Sequence, residues 1–276
     1  MFIQFYPPKP LLASFIKGYQ IVHVKTPAGL PLPTHPFPPH AVQNLSFYPR
    51  DSVDIFYHQT GQIITAPACI GVGAQISRVD LTMGRDHLIV ATFFEPGGLH
   101  RLLGIPMTEF FDFSLDISLL WSAEIRQVNE QLRETTNYDR MQQIVEAFLI
   151  RQFQKKQLAP HPIDKAFQLL SDPTRLVSLD YLADQACLSS RQFERKCHER
   201  VGLSPTLFRR LARFSKAFRL KEQRPDLDWL DVALQHNYYD LQHMRRDFKE
   251  FAGTTPTLLL EEETRLQLHA YSSHSF

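Results

Sequence analysis

The apolar positions of this chain change period along its length, and each change predicts a different kind of element. Residues 42–48, 53–57, 63–69 and 87–94 are short runs rich in Val, Ile, Phe and Tyr, separated by Pro, Gly and Asp. That pattern predicts a small antiparallel sheet or barrel. Ahead of these runs, Thr26–Pro39 holds six prolines. Proline has no N–H for a ladder or a helix interior, so this stretch is expected to be a long irregular loop. After the EPGG segment Glu95–Gly98, apolar residues recur at three and four: Ile117, Leu120, Trp121, Ile125, Val128 and Leu132, then Met141, Ile144, Val145, Phe148 and Leu149. Two amphipathic helices joined near Thr135–Asn137 follow, an αα-hairpin that either closes the first domain or pairs two subunits. The polar stretch Gln154–His161, with Pro160 and Pro162 at its end, marks a domain boundary. Everything beyond it reads as helix.

The last hundred residues match themselves at a shift of about 50. Ser178 falls on Asp228, Leu179 on Trp229, Leu182 on Val232 and Ala183 on Ala233. After one inserted residue, Ser189 falls on Asp240, Phe193 on Met244, Cys197 on Phe248, Gly202 on Gly253, Ser204 on Thr255 and Pro205 on Pro256. Ser178, Asp228, Ser189 and Asp240 are residue types that accept the free N–H groups at helix starts. Gly202 and Gly253 suit the left-handed position at a helix end, and the proline that follows cannot prolong that helix. Each unit is therefore a helix-turn-helix.

At 100° per residue, Phe193 and Cys197 set an inward face in the first unit and leave Arg191, Arg195 and His198 outward. In the second unit Met244, Phe248 and Phe251 point inward and leave Gln242, Arg246 and Lys249. The outward sets coincide at the shift of 51. Arg bonds guanine O6 and N7, and Gln bonds adenine N6 and N7, with two bonds each, so Arg191, Arg195, His198, Gln242, His243 and Arg246 are candidates to read bases in a major groove. Between the units, Leu207, Leu211, Phe214 and Phe218 form the apolar stripe of a linker helix of about 17 residues, hence ~25 Å. Such a strut can set two recognition helices one DNA turn apart, ~34 Å. Ser189, Arg209, Arg210, Arg213 and Lys249 are the candidate phosphate contacts.

The run SLDYLADQACLSSRQFERKCHERVGLSP, the linker RRLARFSKAFRL and the run DVALQHNYYDLQHMRRDFKEFAGTTP together resemble the double helix-turn-helix domain of the AraC family of transcription regulators, over roughly residues 163–260. Where that family has glycine after the first helix of the second unit, this chain has Asn237; Cys197 and Met244 stand where it usually has Phe. Asn tolerates positive φ, and Cys and Met keep the face apolar. The N-terminal part more weakly resembles the incomplete cupin-like sensor domain of some members. The resemblance implies a regulator that binds double-stranded DNA, activation more than repression, contact with RNA polymerase, a small-molecule effector, and a homodimer. The expected fold is α+β overall: a small cupin-like sheet or barrel with a closing helical hairpin at residues 1–156, an all-α pair of helix-turn-helix units at 163–260, and a tail at 261–276.

Composition and charge narrow the alternatives. With 276 residues, 43% of them hydrophobic and 21% charged, the chain has ordinary globular composition and the length of two domains. The net charge of +1 hides an asymmetry, because Arg191–Lys221 carries ten basic residues against Glu194 and Glu199. A local excess of that kind is either a solvated face or a surface for a polyanion. No apolar run reaches the ~18 residues of a membrane span, and the N-terminus lacks the marks of a secretory signal, so a cytoplasmic location is expected. Cys69, Cys187 and Cys197 are too scattered for a disulfide framework or a zinc site and are expected to pack. An enzyme reading, a small cupin-type metalloenzyme fused to a DNA-binding domain, would rest on His23, His35, His40, His58, His87 and His100. No His-x-His pair with a following Glu occurs among them, and His35 and His40 fall in the proline-rich loop. Glu95 has no identifiable partner as a general base, and there is no phosphate loop or nucleophile elbow. No cofactor or metal is expected. A sensor or adaptor that has lost DNA binding is the other alternative, opposed by the retained Arg191, Arg195, Gln242 and Arg246.

Overall fold

The computed structural model describes residues 1–156, 161–175 and 177–265. Ten strands form two antiparallel sheets in the N-terminal half. The strands are β1 (Phe2–Tyr6), β2 (Ile16–Lys25), β3 (Thr34–Phe37), β4 (Asn44–Phe47), β5 (Val53–Tyr57), β6 (Gln62–Thr65), β7 (Cys69–Val72), β8 (Val79–Met83), β9 (Asp86–Phe94) and β10 (Ser114–Asp116). One sheet has the order β1-β2-β9-β4-β7-β10 and the other β3-β8-β5-β6. Alternate side chains of β9 serve both layers, since successive residues of a strand face opposite ways. Ile89, Ala91 and Phe93 face the second sheet with Val22, Val24, Ile55, Val79 and Leu81. Leu88, Val90 and Phe94 enter another cluster with Tyr19, Ile21 and Phe47.

That second cluster is roofed by helices. α1 (Gly98–Leu103), α2 (Ser122–Glu134) and α3 (Tyr138–Lys156) follow the sheets. Ile125, Val128, Leu132, Val145, Phe148 and Leu149 are buried against the six-stranded sheet. The predicted hairpin thus packs on its own domain, but its first helix begins only at Ser122: Ile117 is buried in a short 3-10 turn, and Leu120, expected in the apolar stripe, is 45% exposed.

Several expectations are corrected. Thr26–Pro39 is not wholly irregular: it contains β3, an edge strand in which Thr34, His35, Pro36 and Phe37 pair with Thr82, Leu81, Asp80 and Val79. Proline is tolerated there because an edge strand has one side without a ladder. His35 is fully buried and His40 nearly so, the latter bridged through its backbone to Gln75, so a rigid scaffold does hold both. The run 63–69 divides at Pro67 between β6 and β7, which lie in different sheets.

The C-terminal half holds α4 (Pro162–Leu170), α5 (Leu179–Gln185), α6 (Ser190–Val201), α7 (Pro205–Gln223), α8 (Trp229–Gln235), α9 (Leu241–Ala252) and α10 (Pro256–Arg265) around one apolar cluster that includes Phe167, Phe193, Phe208, Phe214, Phe218 and Phe248. Residues 261–265, expected to belong to the tail, are part of α10, and Glu262 pairs with Arg78 of the first domain. Residues 157–160 of the expected boundary and 266–276 of the expected tail lie outside the described residues. No helix among the described residues is long and apolar enough to cross a membrane.

Candidate DNA-binding surface

The caps that the sequence predicts are formed in both helix-turn-helix units. Ser178 accepts from the Tyr181 N–H at the start of α5, and Asp228 from the Trp229 N–H at the start of α8. Ser189 and Gln192 make a reciprocal capping box at α6, and Asp240 accepts from the His243 N–H at α9. Gly202 and Gly253 end α6 and α9 at φ 88° and 70°. The turns between the paired helices also repeat. Asn237 has φ 55°, and its counterpart Cys187 has φ 56°. Cys187 is exposed, so its expected packing role is not what the structure gives it; only Cys69 and Cys197 pack. The inserted residue of the second unit falls in the turn before α9, where Tyr238 is buried and Tyr239 is 89% exposed.

The outward faces of α6 and α9 are exposed and their inward faces buried. Phe193, Cys197 and Val201 bury one side of α6, and Arg191, Arg195 and His198 are exposed on the other. Met244, Phe248 and Phe251 bury one side of α9, and Gln242, Arg246 and Lys249 are exposed. Arg245 is exposed beside Arg246, a cation the periodicity alone did not single out.

His243 and three of the candidate phosphate contacts are placed differently. Asp247, 2% exposed, is gripped by Arg210 (2.8 and 3.2 Å) and Arg213 (3.0 Å) of the linker helix α7. Arg210 also reaches Glu250 at 2.6 and 3.1 Å. Arg213 lies over the Tyr238 ring and contacts His243 Nε2 at 3.1 Å, which draws His243, half-buried, toward α7 instead of outward. Arg209 donates to the Val177 carbonyl at 2.8 Å. These guanidiniums bind α7 to the units on either side of it, since a buried carboxylate needs its charge and lone pairs matched. Ser189 and Lys249 stay exposed, the former in its capping box and the latter 3.2 Å from the Gly253 carbonyl.

The first domain abuts the far end of α6. Gln43 donates to the Arg200 carbonyl at 3.0 Å and accepts from the Gly97 N–H at 3.2 Å. Asp164 of α4 receives both Arg101 and Arg200, the latter at 3.5 Å. A Cβ at Gly202 would sit 2.8 Å from the Met107 carbonyl oxygen, so the two backbones touch here only because residue 202 has no side chain.

Between the two sheets lies a cavity of about 70 Å³, lined by side chains of both, among them Gln20, His40, Asn44, Ser46, Tyr57 and Phe113. Burial, with Arg219 nearby, lowers the His40 imidazole to about 4, and burial likewise lowers His87 to about 4, so both rings are neutral near pH 7. The remaining histidines are dispersed: His23 bonds Asp86 and Tyr138, His58 bonds Asp80, and His100 bonds the Ile105 carbonyl. Among the described residues no three His, Cys, Asp or Glu side chains are grouped to hold a metal ion.

Residues 182–262 match the family model described as a helix-turn-helix domain, and residues 4–116 match a domain of unknown function, DUF6597. No curated protein matches the chain. Among solved structures, similarity extends to apo ToxT from Vibrio cholerae at 15% identity, covering 93% of this chain and 99% of that one, with a TM-score of 0.47. A ToxT structure from Vibrio cholerae O395 bound to a methylnaphthalenyl butenoic acid is similar at 14% identity, 89% and 99% coverage and TM-score 0.49. The AraC-like transcriptional activator CuxR is similar at 11% identity, 75% and 84% coverage and TM-score 0.28.

Proposed function

We propose that this chain is a DNA-binding transcription regulator of the AraC type, whose C-terminal helix-turn-helix domain, matched over residues 182–262, reads two successive major-groove segments with α6 and α9. The observation that carries the proposal is recurrence. Arg191, Arg195 and His198 on α6, and Gln242, Arg246 and Lys249 on α9, occupy matching exposed positions on helices whose opposite faces are buried. A solvated charged face has no reason to repeat at the same three positions in both units. In this reading residues 163–260 bind DNA, and residues 1–156 bind a small-molecule effector in the cavity between the sheets.

The state of that cavity reaches α6 through residues 107–114. Phe113 and Ser114 line the cavity, and Met107 abuts Gly202 at the end of the recognition helix. Activation through contact with RNA polymerase, in the cytoplasm, rests on the sequence resemblance alone.

The test uses residues 161–265 and duplex DNA selected by the full chain from a random pool. Affinity should fall steeply between about 50 and 200 mM salt, since bound Lys and Arg displace counterions from phosphate. Arg195→Ala and Arg246→Ala should each relax base preference in a different half of the site, at a cost of ~1–3 kcal/mol. Equal weakening on all sequences by both variants would reassign these side chains to phosphate, and absence of DNA binding would refute the proposal.

A further inference from the structure

We infer that the cavity between the two sheets takes an uncharged, mainly apolar molecule carrying a hydrogen-bond acceptor that meets Gln20, and that it rejects carboxylates, amines and phosphates. The inference rests on the effector reading above and adds to it the chemistry of the ligand.

Among the described residues the lining contains no Lys, Arg, Asp or Glu. An ion entering such a site would lose its water with no charged side chain in the lining to replace it, and Arg219 near His40 is already paired with Glu222, so the ion is far costlier to bury than a neutral group. Gln20 is 4% exposed, and its Nε2 amide has no hydrogen-bond partner among the described residues. A buried donor left unmatched is unusual and is matched when an acceptor arrives. Around it stand only neutral polar groups, Asn44, Ser46, Gln75 and the His40 imidazole, which burial keeps unprotonated near pH 7. The rest of the wall is aliphatic and aromatic, including Ile55, Leu81, Ile89 and Phe93. This is the composition of a small-molecule site, with a few placed polar groups in an apolar shell.

Size adds a condition. A cavity of about 70 Å³ is roughly half of the ~150 Å³ that admits benzene. A ring therefore enters only when a wall moves. Phe113 is the wall placed to do so: it lines the cavity, is 40% exposed, stacks on Tyr57 at 5.3 Å, and follows Asp112, whose φ is 55°.

Benzamide, benzoate and benzylammonium share a ring and differ in charge, so they make the test. Binding of each to the full chain is measured by calorimetry and by shift of the melting temperature at millimolar ligand, beside toluene as the apolar reference. Benzamide should saturate one site, and both ions should bind at least roughly tenfold more weakly. Gln20→Leu should weaken benzamide several-fold, about the loss of one hydrogen bond, while leaving toluene unchanged. Ions binding as well as benzamide, no binding by benzamide, or indifference of benzamide to Gln20→Leu would each overturn the inference. DNA affinity is read on the same samples. Benzamide that binds without changing DNA affinity leaves the ligand class standing and removes the effector reading; a benzoate or benzylammonium that changes it does the reverse.

Discussion

Gly202 and Gly253 are equivalent positions of the repeat, both left-handed, but their surroundings differ. A Cβ at Gly253 would meet nothing within 4 Å, whereas at Gly202 it would lie 2.8 Å from the Met107 carbonyl oxygen and 3.1 Å from its carbon. Gly253→Ala should therefore cost only the backbone strain of a left-handed L-residue, ~1–2 kcal/mol. Gly202→Ala carries the same strain plus an overlap with backbone that cannot rotate away, worth ~1–3 kcal/mol when a packed site is overfilled. The full-chain difference between the two variants is thus ~1–3 kcal/mol, and it belongs to the contact between the domains. Urea unfolding of both variants, as the full chain and as residues 161–265, measures it. In the fragment, which lacks Met107, the two substitutions should cost the same. Equal losses in the full chain, or a difference that survives in the fragment, would refute the idea that the first domain presses on the end of α6.

Asp247→Ala should destabilise the C-terminal domain by ~2–4 kcal/mol, less than a fully buried pair because Arg210 is about one-third exposed; a urea midpoint unchanged from the parent would show that the Arg210 and Arg213 pairs are incidental. Acid should weaken the N-terminal domain. His40 and His87 are held near 4 from an ordinary 6.5, so the unfolded chain binds more protons between those values and stability falls as pH drops from 6.5 to 4, by up to ~3 kcal/mol for each ring. Melting temperatures at pH 7 and pH 5 check the sign, and a melting temperature that holds or rises on acidification contradicts it.

The C-terminal half was legible because its signals are local. A cap acts on N–H groups within one turn, a left-handed glycine acts on its own φ, and the repeat doubled each signal, so Ser178, Ser189, Gly202 and their counterparts could be placed from spacing alone. The exposed faces of α6 and α9 followed from the same 3.6-residue period. The N-terminal half was less legible. β2 (IKGYQIVHVK) alternates poorly because both of its faces are covered, and β3 is hidden by Pro36, which only an edge position tolerates.

What the chain determines by itself is therefore the pair of helix-turn-helix units, their caps and the residues they turn outward. Tertiary structure alone decided where the linker arginines go, since Arg210 and Arg213 have the same outward spacing whether they meet phosphate or Asp247, and it is the approach of α9 to α7 that supplies the carboxylate. It also decided that the first domain rests on α6 and that a cavity with an unmatched Gln20 amide opens between the sheets. Each of these joins residues far apart in sequence, and no local period records such a meeting.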